Sequence, residues 1–154
     1  MLSTDLTSRK ICEVLKRKGF DCRLNIFRES EPELATVWIC NSEMWWMVEG
    51  VWSVQDDTND KEHCNCDIQF KAQILFMDRA GCELVISRVN RLLIGVKTYL
   101  CGEKDFLRPV PLLIVHTIPL IYDDEIDTEL IVKQFYQFKA AVCQSIGCEE
   151  GSPT

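Results

Sequence analysis

The chain has 154 residues, of which 47% are hydrophobic and 27% charged, with only seven Gly and five Pro. This length is typical of a single domain, and the composition excludes collagen-like and broadly disordered chains because it offers ample apolar surface to bury. The 17 basic and 24 acidic residues give a net charge of −7. That balance disfavours a free-standing, strongly basic nucleic-acid binder.

The charge is distributed unevenly along the chain. Residues 1–28 carry a balance of +4, residues 29–66 a balance of −8, residues 67–108 a balance of +2 and residues 109–154 a balance of −5. The acidity therefore lies outside a mildly basic central stretch. The net charge weighs against autonomous DNA binding only, and it is typical of a subunit that depends on partners.

The nine cysteines are odd in number and scattered, which makes a poor disulfide framework. The start, MLSTDLTSRK, lacks the apolar stretch of a signal peptide, and no uncharged run approaches the length needed to span a bilayer. We therefore expect an intracellular, reducing compartment in which the thiols serve mainly as small buried hydrophobes.

The first predicted element is a helix over Thr4–Lys18, for which Ser3 or Thr4 can cap the first turn. Alternating and β-branched apolar residues then predict two extended segments over Phe20–Phe27 and Ala35–Cys40. An acidic turn, ESEPE, separates them. Together they predict a hairpin.

A series of strands is predicted next. The polar stretch QDDTNDKEHCN is interpreted as a loop, Asp78–Gly81 as a turn, and Gly50 as the position of a bulge. The five predicted strands are Met44–Val54, Asp67–Met77, Cys82–Val89, Leu92–Cys101 and Pro111–Tyr122.

The last predicted element is a long amphipathic helix over Asp124–Ile146. Asp123 or Asp124 can cap it, and Gly147 ends it. Its apolar residues recur at spacings of three and four and form one stripe, which consists of Ile131, Phe135, Phe138, Val142 and Ile146.

Five strands followed by an amphipathic helix is the order of a partly open Greek-key barrel. MVEGVWSV resembles the first strand of an OB-fold, ILFMDRAGCELVI the hairpin of the second and third strands, and IGVKTYLCGE the fourth strand. VPLLIVHTIPLIYDDEIDTELIVKQFYQF resembles the fifth strand and the terminal helix. Over residues 44–146 the chain thus resembles the middle subunit of replication protein A and its relatives in telomere-capping and recombination complexes.

The resemblance implies a mainly β fold, a five-stranded OB-type Greek-key barrel with a C-terminal amphipathic helix. An N-terminal helix and hairpin are appended to it. We expect a single domain over residues 1–148, with residues 1–43 as the extension, residues 44–146 as the barrel and closing helix, and residues 149–154 as a tail.

The resembled family binds single strands by stacking bases on aromatic rings over a positively charged groove, or acts mainly through assembly. It implies a non-enzymatic, nuclear subunit that binds or protects single-stranded DNA in telomere or genome maintenance, with DNA contacted within a complex and no membrane involved. The candidate nucleic-acid contacts are Trp52, Lys71, Arg88, Arg91, Lys97 and Tyr99. The candidate contacts to other OB-fold or helical subunits are Ile131, Phe135, Phe138 and Val142, although this stripe can equally cover the chain's own barrel.

Metal and catalytic sites have less support. His63, Cys64 and Cys66 offer three metal ligands in one predicted loop, but no CxxC pair accompanies them. His116 lies in an apolar strand and is expected at a hydrogen-bonded core or edge position. No GxSxG, HExxH or phosphate-binding glycine loop is present, so we expect neither an enzyme nor a cofactor.

Trp38, Trp45, Trp46 and Trp52 fall within fifteen residues. Each indole is expected either in the core of a curved strand or as an anchor of an interface.

Two other classes remain open. The leading helix, the sheet, the closing helix and the acidic charge also resemble type III secretion chaperones, which are homodimers that bind unfolded client segments without binding nucleic acid. Five strands without an intervening helix fit that class less well. A viral or host adaptor without nucleic-acid contact is the third possibility.

Overall fold

The structure is a computed structural model that describes residues 2, 6–26, 35–40, 45–57, 60–100, 110–120 and 124–147. At positions 45, 49–57, 60–66, 75–77 and 110 it describes the backbone alone.

Three helices and six strands make up the described part of the chain. The helices are α1 (Ser8–Arg17), α2 (Arg79–Leu92) and α3 (Thr128–Ile146), and the strands are β1 (Cys22–Asn25), β2 (Thr36–Ile39), β3 (Trp45–Asp57), β4 (Asp60–Met77), β5 (Val96–Leu100) and β6 (Val110–Pro119). All strands pair antiparallel in one sheet with the order β1-β2-β3-β4-β6-β5. No pairing among the described residues joins β1 to β5, so the sheet is open.

Helix α1 begins later than predicted. The Thr7 side chain is the N-cap and accepts a hydrogen bond from the Lys10 backbone N–H at 3.2 Å. Ser3 and Thr4, the predicted caps, lie outside the described residues. The predicted hairpin is confirmed, because β1 pairs with β2 from Cys22 opposite Ile39 to Asn25 opposite Thr36.

Helix α2 replaces the predicted third barrel strand over Cys82–Val89, so that prediction is wrong. Asp78 is the N-cap of this helix, and its Oδ1 accepts a hydrogen bond from the Gly81 backbone N–H at 2.7 Å. The interpretation of Asp78–Gly81 as a hairpin turn is therefore also wrong. Cys82, Val85 and Val89 are buried at helical spacings of three and four, so one helical face, not an alternating strand face, reaches the core.

The predicted polar loop between the first two barrel strands is also wrong, since β3 continues to Asp57 and β4 begins at Asp60. The two strands pair from Trp45 opposite Gln73 to the end of this hairpin. A register shift between Val51 and Trp52 leaves Cys66 outside the pairing, and this bulge lies close to Gly50, where the sequence indicated one.

Helix α3 carries the predicted stripe but begins at Thr128. Its cap is Asp127, whose Oδ1 accepts a hydrogen bond from the Glu129 backbone N–H at 3.0 Å, and not Asp123 or Asp124. Gly147 adopts a left-handed conformation with φ of 71° at the C-cap, which an L side chain would oppose.

One hydrophobic core joins all three helices to one face of the sheet. Its largest fully buried side chains include Trp46, Phe70, Phe135 and Phe138, whose rings meet at centroid distances of 5.6 to 6.3 Å. The described part of residues 1–43 shares this sheet and core with the rest of the chain. The fold is a mixed α/β arrangement with an open six-stranded sheet, and the five-stranded OB-type barrel is not what the strand pairing shows. No described helix is long and apolar enough to cross a membrane.

Candidate functional site: the uncovered face of the sheet

The two faces of the sheet differ in what covers them. On one face Trp46, Phe70 and His116 contact the aromatic rings of α3. Because side chains alternate along a strand, the residues between these positions lie on the opposite face. No described helix packs on that opposite face, which we call the uncovered face.

A single line of residues crosses the uncovered face from one edge of the sheet to the other. In this line each residue is the register partner of the next, because Arg23 lies opposite Trp38, Trp38 opposite Met47, Met47 opposite Lys71, Lys71 opposite Val115, and Val115 opposite Lys97. Residues directly opposite in an antiparallel pair lie on the same face as neighbours. We call these six residues the cross-sheet row.

The cross-sheet row combines cationic and apolar side chains. Arg23 and Lys97 are exposed at its two ends, and Lys71 is half-buried near its middle. Val115 is buried between Lys71 and Lys97, and Lys side chains can cover such a residue with their aliphatic stems. The row therefore contains three basic residues and three apolar ones.

Trp38 is held in a defined orientation on this face. Its indole Nε1–H donates a hydrogen bond to the Thr36 hydroxyl oxygen at 3.0 Å, and Thr36 is buried two residues away on the same strand face. The half-buried Trp38 ring thus offers apolar area with its polar atom already satisfied.

Few charged residues lie in the rows beside the cross-sheet row. The row formed by Asn25, Thr36, Glu49, Gln69 and Thr117 lies on one side, and it contains a single acidic residue. On the other side Tyr99 lies opposite Leu113, which lies opposite Gln73. The positive charge of the uncovered face is therefore concentrated in the cross-sheet row.

The structure divides the six predicted nucleic-acid contacts among different places. Lys71, Lys97 and Tyr99 lie on the uncovered face. Arg88 and Arg91 lie on α2 instead, and the Arg88 Nη1 donates to the Ser145 carbonyl oxygen at 3.3 Å. These two arginines line a shallow pocket of about 260 Å³ with Leu92, Gln144 and Ser145.

Trp52 lies in β3 directly after the bulge, and its side chain is outside the described residues. The sequence predicted that all six residues line one groove. The five whose side chains are described do not lie together, because α2 takes the place of a predicted strand.

The four predicted partner contacts are core residues of this chain. Ile131, Phe135, Phe138 and Val142 are 4% exposed or less, and Phe135 and Phe138 contact Trp46 and Phe70. In this fold the stripe packs on the chain's own sheet. The sequence had left this open as the alternative to packing on a partner. A partner could reach these side chains only if α3 left the sheet.

The predicted metal ligands are in a strand and not in a loop. His63 lies opposite Val54 and Cys64 opposite Ser53 in the β3–β4 pairing, while Cys66 is the residue outside the register. Their side chains are outside the described residues. Among the side chains that are described, no group of three or more His, Cys, Asp or Glu residues is arranged to hold a metal ion.

Most of the described thiols are buried. Cys12, Cys22, Cys82 and Cys143 are buried and Cys40 is half-buried, and none of these five forms a disulfide. Burial raises the pKa of the Cys22 thiol to about 12 and also raises the pKa of Cys12 and Cys82. These three thiols are protonated at neutral pH, so they lack the thiolate that nucleophilic attack requires.

His116 lies half-buried beside two rings of the core, Phe70 and Phe138, whose centroids are themselves 5.9 Å apart. Its imidazole stacks with Phe70 at 6.4 Å and with Phe138 at 6.2 Å between centroids. Its Nδ1 is buried and has no hydrogen-bond partner among the described residues, so the expected hydrogen bond is not found there. Burial lowers the pKa of His116 because it disfavours the charged imidazolium.

Sequence reasoning missed three members of the cross-sheet row, namely Arg23, Met47 and Val115. The alternation within β1, β3 and β6 was visible, but which strands become neighbours was not. Only the register brings these residues beside Trp38, Lys71 and Lys97. A second unforeseen feature is Lys139, which is buried with its ammonium 5.9 Å from the Phe20 ring centre and 5.8 Å from that of Trp46.

Comparisons with known proteins identify the fold. No protein-family model matches the chain, and no curated protein matches its sequence. In structure the chain is similar to YbjN of E. coli, described as a candidate transcription regulator, with a TM-score of 0.57, 14% identity, and coverage of 95% of this chain and 92% of YbjN. It is also similar to an uncharacterized protein from Methanothermobacter thermautotrophicus, with a TM-score of 0.56, 13% identity, and coverage of 92% of this chain and 95% of the other.

These similarities correct the resemblance to the middle subunit of replication protein A. They extend over nearly the whole chain, and the two proteins are described as a candidate transcription regulator and an uncharacterized protein, not as OB-fold subunits of the replication protein A type. The inference of single-stranded DNA binding in telomere or genome maintenance is therefore wrong. The nuclear location followed from that resemblance and has no other support in the sequence. At this level of identity the chain shares a fold with YbjN and the archaeal protein.

Proposed function

We propose that this protein is a non-enzymatic adaptor or chaperone that binds an extended, acidic segment of another protein on the uncovered face of its sheet. The observation that carries the proposal is the cross-sheet row, in which Arg23, Lys71 and Lys97 share one line with three apolar side chains. A row of this kind attracts carboxylates while it offers Trp38, Met47 and Val115 as apolar contacts.

The dimensions of the row suit an extended chain. Neighbouring strands lie about 4.8 Å apart, so a row across six strands spans about 24 Å. An extended segment rises about 3.4 Å per residue and would cross the row with about seven residues. Its acidic and apolar side chains would meet the cationic and apolar positions of the row.

The position of α2 supports the chaperone class that the sequence left open. The sequence pattern argued against that class because five strands followed one another without a helix. Helix α2 occupies that position, and this removes the objection. At 14% identity the likeness to YbjN supports the fold alone, so its description as a regulator does not enter the proposal.

The proposal is tested by fluorescence anisotropy with a labelled peptide in which Glu, Val and Phe occupy every second position and Ser the positions between, so that acidic and apolar side chains share one face of the extended peptide. We expect binding that weakens as salt is added, because surface charges are screened, and no binding of a peptide with Lys in place of Glu. A labelled thymidine oligonucleotide should not bind. If the acidic peptide does not bind, or if the Lys peptide binds equally well, the proposal fails.

Charge reversals locate the binding face. Lys71→Glu and Lys97→Glu should each weaken binding of the acidic peptide. Lys133→Glu makes the same charge change at an exposed position on α3, and it should leave binding unchanged. Equal losses in all three variants would indicate a general charge effect and would contradict binding on the uncovered face.

A further inference from the structure

The sheet has two edges, and β5 forms one of them. Among the described residues β5 pairs only with β6, and an edge strand carries backbone N–H and C=O groups that can pair with another chain. Large apolar or aromatic side chains are exposed on this strand and directly before it, with exposed fractions of 95% for Ile94, 48% for Tyr99 and 44% for Leu100.

We propose that β5 pairs antiparallel with β5 of a second copy of this chain, with Thr98 on the two-fold axis. In this arrangement the two six-stranded sheets become one continuous sheet. Lys97 of each copy lies opposite Tyr99 of the other, and Val96 lies opposite Leu100. The inference depends on the strand edge and not on the identity of any client.

The register follows from symmetry. A two-fold axis perpendicular to the sheet maps each face onto itself, so partners must lie on the same face. Residues of one strand share a face only when they are an even number of positions apart. A residue of β5, and not a peptide bond, must therefore lie on the axis.

Charge and length then select Thr98 among the possible centres. An axis on Lys97 would place the two Lys97 ammonium groups opposite each other, which is unfavourable. An axis on Tyr99 would pair only residues 98–100 of the five in β5. An axis on Thr98 pairs all five.

The chosen register is self-complementary on both faces. On the uncovered face each Lys97 lies opposite a Tyr99 ring, a pair that is favourable as a cation–π contact. On the helix-covered face Val96 and Leu100 form two apolar pairs beside α2, which contacts β5. The cross-sheet row of one copy then meets Tyr99 and Leu113 of the other, so the dimer extends the uncovered face without a break.

The opposite edge strand, β1, does not offer a self-complementary register. Strand β1 has four residues, and an axis on Arg23 would place two guanidinium groups opposite each other. An axis on Leu24 would pair only residues 23–25. Strand β1 is therefore the matched control edge.

The test uses sedimentation of the full chain over a concentration series. We expect the wild-type protein to be a dimer and Tyr99→Lys to weaken the dimer by about tenfold, because each Lys97 would then face a second ammonium group across the edge instead of an aromatic ring. This loss cannot come from net charge, since Tyr99→Lys brings a chain of charge −7 closer to neutrality. Circular dichroism confirms that each variant is folded.

A charge swap tests the register itself. The double variant Lys97→Glu with Tyr99→Lys restores two opposite-charge pairs and should recover the dimer. Asn25→Lys makes the same charge change on β1 and should leave the dimer intact.

Three results would overturn the inference: a wild-type monomer at all concentrations, a Tyr99→Lys variant that dimerises normally, or a folded double variant that stays monomeric. Peptide anisotropy on the wild-type protein and on Tyr99→Lys, both of which keep all six residues of the cross-sheet row, reports the proposed function separately, so a failure of one does not imply a failure of the other.

Discussion

The two faces of one sheet carry different physical roles in this protein. The covered face is aromatic and buried, with Trp46 and Phe70 fully buried against α3. The uncovered face places Arg23 and Lys97 in solvent and keeps Trp38 and Lys71 half-buried. Successive residues of a strand lie on opposite faces. In the same strand, therefore, one residue packs in the core and the next is available for binding. Substitutions on the covered face should change the free energy of unfolding, whereas those on the uncovered face should change affinity.

The largest effect is expected from Phe135→Ala. The Phe135 ring contacts Phe20 at 5.2 Å, Phe70 at 5.6 Å and Trp46 at 6.3 Å between centroids. Its loss leaves a cavity among these rings and should lower the free energy of unfolding by about 3–5 kcal/mol in urea denaturation. Tyr99→Ala removes an aromatic ring from the uncovered face and should lower the free energy of unfolding by much less. Equal losses in the two variants would erase the contrast between the faces.

A pH effect is expected from His116, which lies on the covered face. Burial lowers its pKa in the folded state, so the folded protein binds fewer protons than the unfolded chain. Its contribution to stability is therefore fully present above the ordinary pKa of about 6.5 and is lost as the pH falls toward the lowered value. The slope from this one group is at most about 1.4 kcal/mol per pH unit.

Urea denaturation at several pH values between neutrality and about pH 5 checks this expectation. His116→Phe keeps an aromatic ring beside Phe70 and Phe138 and should flatten the pH dependence of the unfolding free energy. A dependence of the same slope in this variant would assign it to the carboxylates instead.

A smaller effect is expected at the start of α2. Asp78→Ala removes the acceptor of the 2.7 Å hydrogen bond from the Gly81 N–H and should lower the unfolding free energy by about 1 kcal/mol. Asp78→Ser keeps a capping oxygen and should recover most of the loss. If Ser is no better than Ala, the side-chain cap does not stabilise the helix that closes this end of the core.

The smallest stability effect is expected on the uncovered face. Arg23→Ala removes an exposed side chain and should change the unfolding free energy by less than about 0.5 kcal/mol. Its affinity for the acidic peptide should fall by about threefold, as expected for one exposed charge pair. A large stability loss without a change in affinity would reverse the assignment of roles to the two faces.

Much of the local structure could be predicted from the sequence. The first hairpin, the alternation of Ile68, Phe70, Ala72 and Ile74 in β4 and the stripe of α3 were visible as periods of two and of three to four. The helix over Cys82–Val89 could not be predicted in this way, because its short apolar run Leu84–Val85–Ile86 is compatible with a strand as well as with a helix. Asp78, four residues before Cys82, was the available signal, but Asp is favoured both at N-caps and in turns, so this residue did not decide between them.

The sequence by itself determined which residues are apolar, where most helices end and that the chain has enough hydrophobic surface for one core. Only the tertiary structure decided which strands are neighbours, because strand pairing joins residues far apart along the chain through backbone groups that are the same at every position. Arg23 and Lys97 therefore share a row on the basis of register alone. The same pairing turned a predicted DNA groove into an open sheet face with an unpaired edge among the described strands.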